Sequence, residues 1–167
     1  MVTAVRHLDL EEHLTERDVR ILEDLERFRL LTTRQLQRLH FPAAPLGPHV
    51  TVSGATRGTT RVLNRLEARG AITRLARRIG GIKHGSAVTI WQLGPAGDRY
   101  LRARRGEPRR RRYDEPGLTF VAHTLAVADI AVSLLEQAHA HRFELLELEL
   151  EPASWRSAKP LTVVQQG

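Results

Sequence analysis

The chain contains no cysteine, which excludes disulfides, thiol catalysis and zinc sites built on thiolates. The N-terminus carries no apolar signal stretch. The longest uncharged run of the second half, Pro116 to Ala128, is too short to span a bilayer and ends at Asp129. These absences point to a soluble, cytoplasmic protein. Catalytic signatures are missing too. Neither a zincin HExxH nor a phosphate loop of the GxxxxGK type occurs, and GGIKHGS has the wrong spacing for one. No Ser/His/Asp set follows from spacing, and nothing calls for a cofactor or a metal. The reading leans away from an enzyme. No repeat of fixed period is visible.

Lysine is almost absent: arginine supplies 24 of the 26 basic residues. A GC-rich genome favours arginine whatever the protein binds, so the formal charge of +7 says little by itself. The uneven shortage of acid says more. Between Arg57 and Arg112, 16 Lys/Arg stand against 3 Asp/Glu, a net of +13, while the rest of the chain holds 10 against 16, a net of −6. Codon bias does not sort charge in this way. The middle third is where a polyanion would sit.

Residues 1–14 show no sustained pattern and read as a loose arm. Thr15-Glu-Arg-Asp18 is a capping box opening a helix with Val19, Ile21, Leu22, Leu25 and Phe28 on one broad face. Thr32-Thr-Arg-Gln35 is a second, opening a short helix that Phe41-Pro42 closes. Pro42 to Gly54 reads as a loop. A third helix is expected from about Thr56 to Arg69, with Gly70 at a left-handed cap. Ala71 to Ile79 and Ala87 to Leu93 are β-rich runs joined at a hairpin tip, and Pro95 opens another short helix. A charged segment bounded by Pro and Gly, 106–117, marks the domain boundary. Beyond it lie a long apolar helix, Leu118 to His141, and the strictly alternating Leu146–Glu151, which reads as a strand. Trp155 and the stretch LTVVQQG suggest one more strand.

Helix, helix, loop, helix and two-stranded hairpin is the order of a winged helix-turn-helix. The third helix tests this reading. At 100° per residue, Thr59, Val62, Leu63 and Leu66 fall within about a 100° arc. The opposite face carries Arg57, Thr60, Arg61 and Asn64, with Arg65 at its flank. Arginine forks onto guanine, asparagine pairs with adenine, and threonine meets phosphate or a thymine methyl. A merely solvated face would use similar residues. The hairpin adds Arg74, Arg77 and Arg78 along its first strand, with Lys83 and His84 near the tip, suited to the backbone or the minor groove. Thr32, Thr33 and Arg34 begin the second helix, whose N–H groups are placed to hold a phosphate. Arg109 to Arg112 adds either phosphate contacts or a solvated charge run.

His139-Ala-His141 is reminiscent of the metal motif that rolling-circle nickases and relaxases combine with a nucleophilic tyrosine, and Tyr100 and Tyr113 are the only tyrosines. That motif belongs on a central strand, whereas these histidines end a helix, where solvent-facing histidines are common. His123 reads as a core histidine, and Glu147, Glu149 and Glu151 as the wet face of a strand.

LTERDVRILEDLERFRLLTTRQLQRLHF, RVLNRLEARGAITRLARR, IWQLGPAGDRYL and HTLAVADIAVSL occur in that order. On these blocks the chain, from Leu14 to about Val132, resembles the replication-relaxation family of actinobacterial plasmid and mobile-element proteins. The resemblance implies an N-terminal winged helix that binds DNA, linked to plasmid replication or to relaxation of plasmid DNA. It also implies a following α/β part like nuclease-type folds, with acidic residues on strands that would lie beyond Gly167. No active site is carried over.

The expected fold is therefore mainly α with a small β part: a winged helix-turn-helix over 15–105, a basic linker over 106–117, and a long helix with strands over 118–167, an incomplete α/β segment or a dimerisation element. The expected partner is double-stranded DNA, with self-association through the 118–138 helix. The expected role is plasmid or mobile-element replication or transcriptional regulation. The alternatives are a truncated or partner-completed nicking enzyme and a dimerising interaction module.

Overall fold

Two reciprocal capping boxes set where the first helices begin. The Thr15 hydroxyl accepts the N–H of Asp18 at 3.3 Å, and Asp18 Oδ2 accepts the N–H of Thr15 at 2.9 Å. Helix α1 (Glu16–Phe28) follows, burying Ile21, Leu22, Leu25 and Phe28 at helical spacing. Arg29, at φ 68°, turns the chain into strand β1 (Leu31–Thr32). Thr32 and Gln35 then cap helix α2 (Thr33–His40) in the same reciprocal way. The computed structural model describes Leu10 and residues 12–75, 88–108 and 117–150.

Helix α3 (Val52–Ala68) starts one turn earlier than its sequence pattern suggests, so the preceding loop is shorter. Local propensity at Val52-Ser-Gly54 is poor. Tertiary support outweighs it: the Thr51 hydroxyl accepts the Gly54 N–H at 3.1 Å, the Gln37 amide donates to the Val52 carbonyl, and Ala55 is buried. Gly70, at φ 67°, ends the helix in the left-handed conformation that glycine adopts at no steric cost. The chain then forms β2 (Ile72–Arg74) and β3 (Ile90–Leu93); residues 76–87 of the expected hairpin lie outside the described residues.

The three strands form one antiparallel sheet in the order β1-β3-β2. Leu31 faces Trp91 across one edge of β3, and Ile72, Thr73 and Arg74 face Leu93, Gln92 and Trp91 across the other. Helix α4 (Pro95–Arg105) leaves β3 directly. Its first turn lies against the turn after α3, so that a Cβ at Gly97 would sit 2.3 Å from the Ala71 carbonyl oxygen.

Helix α5 (Leu118–His139) closes the arrangement. Its Val121 joins Leu30, Leu75 and Ile90 on one side of the sheet. Ala128, Ala131 and Val132 enter the principal core with Ile21, Leu25, Leu36, Phe41, Leu63, Leu66 and Trp91. Polar bonds reinforce this packing. Gln35 Nε2 donates to Asp129 Oδ1 at 2.7 Å, and Arg38 Nε donates to Glu136 Oε1 at 2.9 Å. The helix thus shares a core with the elements that precede the charged segment. By length and composition alone α5 would also cross a membrane, although the longest uncharged run within it is short. Its two acids are tied to α2 instead.

Two sequence expectations are corrected. The alternating segment at 146–150 forms no strand among the described residues. The guanidinium of Arg27 donates to the Leu148 carbonyl. Leu148 and Leu150 pack against the core, while Leu146 stays 86% exposed. Leu10 and Leu14, from the end of the expected arm, also pack into the core, and residues 1–9 and 11 lie outside the described residues. Trp155 and the final apolar stretch lie outside the described residues.

Candidate nucleic-acid interface

Burial of Ala55, Thr59, Leu63 and Leu66 fixes the rotation of α3. The opposite side, Ser53, Thr56, Arg57, Thr60, Arg61 and Asn64, is exposed. This is the partition expected from a helix of 3.6 residues per turn with one apolar stripe. Among the described residues Arg57 and Arg61 have no acidic partner. The Thr60 hydroxyl donates to the Thr56 carbonyl at 2.9 Å, which leaves its lone pairs and methyl group outward.

The neighbouring cations are held in different ways. Arg65 turns from the exposed face: its Nη2 donates to both oxygens of Asp18 at 2.5 and 2.6 Å. Its side chain is 40% exposed and that of Asp18 only 1%, so the pair fastens α3 to α1. Arg74 lies on the sheet beside α3. It donates to Asn64 Oδ1 at 2.8 Å and to Glu67 Oε2 at 3.0 Å, with its guanidinium carbon 4.9 Å from the centre of the Trp91 ring. Trp91 Nε1 in turn donates to Thr33 Oγ1 at 2.9 Å. A continuous chain of contacts therefore runs Thr33–Trp91–Arg74–Asn64.

At the start of α2, the Thr33 N–H donates to the Thr89 carbonyl and the Gln35 N–H to the Thr32 hydroxyl. Two donors proposed for a phosphate are thus already engaged. Arg34 is exposed and reaches Gln37 Oε1 at 3.3 Å. The same oxygen accepts from the Thr56 hydroxyl, so Arg34 borders the exposed side of α3. Gln37, Thr56 and Trp91 escaped the sequence reading. Thr56 had a visible signal, one turn before Thr60; the other two had none, because their parts depend on which elements meet.

Away from this face Arg38 and Arg105 tie elements together, to Glu136 and Glu26. Arg38 is held above its ordinary pKa chiefly by its hydrogen bond to Glu136, and Arg105 by its bond to Glu26. Both bind their carboxylates through paired, short contacts. Arg77, Arg78, Lys83, His84 and Arg109–Arg112 lie outside the described residues, as does Tyr113. His139 ends α5, and His141 follows it at φ 54°. Both border a cavity of about 540 Å³ with Leu135, Phe143 and Glu144. Among the described residues no group of three or more His, Asp or Glu stands ready to hold a metal ion.

A protein-family model described as replication-relaxation matches residues 22–164, most of the chain. No curated protein and no solved structure matches.

Proposed function

The chain belongs to the replication-relaxation family, and from that premise we propose that it binds double-stranded DNA as a winged helix-turn-helix protein. Family membership supports a role in plasmid or mobile-element replication. One observation carries the finer reading: the exposed side of α3 presents Arg57, Thr60, Arg61 and Asn64, with no acid neutralising either arginine among the described residues. The element order α1-β1-α2-α3-β2-β3 and the sheet order β1-β3-β2 support the winged-helix reading. In it α3 enters the major groove. Arg34, with Arg77, Arg78, Lys83 and His84 from the chain between β2 and β3, grips the backbone, and Arg65 and Arg74 act chiefly as braces. The protein works in the cytoplasm, at a replication origin or a promoter.

Fluorescence anisotropy on duplex DNA over a salt series tests the proposal. Binding should weaken steeply with salt, as counterion release requires. The double variant Arg57→Ala/Arg61→Ala should lose about tenfold or more in affinity while melting like the parent. A folded double variant that binds as tightly as the parent refutes the assignment.

Self-association has its own support. Phe120, Ile130 and Leu134 lie on one side of α5 and are exposed, Ile130 to 66%. We propose that a second copy covers this side, which would bring two α3 helices to a two-fold symmetric site.

A further inference from the structure

The contact between Arg74 and Asn64 bears on which bases α3 can read. A guanidinium carries donors only, so the Asn64 atom 2.8 Å from Arg74 Nη2 must be the carbonyl oxygen. That settles the amide's orientation. The usual asparagine–adenine pair needs the same oxygen to accept from adenine N6 while Nδ2 donates to N7. Here the oxygen faces a cation, held in place by Glu67 and by the Trp91 ring. A cation at that position opposes the partial positive charge of an approaching amino group. Nδ2 remains as the group Asn64 can offer a base.

The exposed side then presents N–H donors from Arg57, Arg61 and Asn64, while acceptor capacity there lies with hydroxyls, those of Thr56 and Thr60 giving their protons to the Val52 and Thr56 carbonyls. In the major groove guanine shows two acceptors, N7 and O6. Adenine and thymine each show one, and cytosine shows a donor. Arg57 and Arg61 are four residues apart, about 6 Å along the helix axis. That is close to two steps of about 3.4 Å along one strand.

We propose that α3 selects, through Arg57 and Arg61, duplexes carrying guanines about two steps apart, and that Arg74 is a positioning residue that excludes adenine at the base facing Asn64 by occupying the Asn64 carbonyl. The inference rests on the DNA-binding reading above. It adds a base class and a residue that excludes another.

Selection of bound sequences from a random duplex pool, followed by anisotropy on single-base variants, tests it. The parent chain should enrich guanines at that spacing. Replacing either by 7-deazaguanine, which lacks N7, should weaken binding about tenfold. Arg74→Met frees the Asn64 carbonyl and should bring adenine into the preference at one position, leaving the two guanines unchanged. Asn64→Ala is the second variant. It removes an exposed side chain, keeps the fold, and should erase preference at that same position alone. Tight binding without guanine enrichment overturns the inference and leaves the DNA reading standing. So does a folded Arg74→Met or Asn64→Ala chain with the parent's preference at every position. Absence of duplex binding at low ionic strength overturns both.

Discussion

Asp18 is fully buried, and its carboxylate accepts four hydrogen bonds: from the N–H and hydroxyl of Thr15 and twice from Arg65 Nη2. Asp18→Ala removes two structural functions at once. One is the reciprocal cap of α1, which contributes about 1 kcal/mol. The other is the pair that fastens α3 to α1. Breaking a wholly buried pair costs about 3–5 kcal/mol because a charge is stranded. Arg65 is 40% exposed and can turn to water, which reduces this part to about 1 kcal/mol. The expected loss is therefore about 2 kcal/mol, or a fall in Tm of about 4–8 °C for a chain of this size.

Urea unfolding of the single variants Asp18→Ala and Arg65→Ala and of the double variant would measure both parts. The cycle should return a coupling of about 1 kcal/mol, with the remainder belonging to the cap. A change below about 0.5 kcal/mol for Asp18→Ala would refute the reasoning. Additive single variants would show that the ion pair contributes nothing to the seating of α3.

Gln35→Ala should cost about 1–2 kcal/mol, since it removes the side-chain half of the α2 capping box and the bond to Asp129. Hydrogen exchange should speed up in α5 before α1; uniform acceleration would argue against a docking role. Gly97→Ala forces a Cβ to 2.3 Å from the Ala71 carbonyl oxygen and should destabilise by about 1–3 kcal/mol, read by thermal melting. Ile130→Glu should keep the parent's helical content by circular dichroism, shift the sedimentation coefficient to that of a monomer and abolish any dependence of the melting temperature on protein concentration. A parent chain that sediments as a monomer would remove α5 from any self-association.

The mainly helical class and small sheet were legible because their determinants are local. Thr15/Asp18 and Thr32/Gln35 specify helix starts within four residues, and Gly70 specifies an end by its conformation. The errors occurred where distant groups decide. Val52-Ser-Gly54 looks like loop until Gln37 reaches it, and Leu146–Leu150 looks like strand but pairs with none among the described residues. Alternation specifies which side chains are apolar. It does not supply the neighbouring strand whose hydrogen bonds would make that segment a sheet member.

The candidate interface divides along the same line. Periodicity alone separated Thr59, Val62, Leu63 and Leu66 from Arg57, Thr60, Arg61 and Asn64, and burial follows that division closely. It treated the neighbouring arginines as equivalent, which they are not. Arg65 and Arg74 have carboxylates within reach on α1 and α3, while Arg57 and Arg61 have none among the described residues. A cation committed to a buried carboxylate must surrender that bond before it can grip a phosphate, whereas an unpaired one gives up only water. Among the described cations of α3 and the sheet, Arg57 and Arg61 should therefore dominate the affinity, with Arg65 and Arg74 contributing through the geometry they maintain.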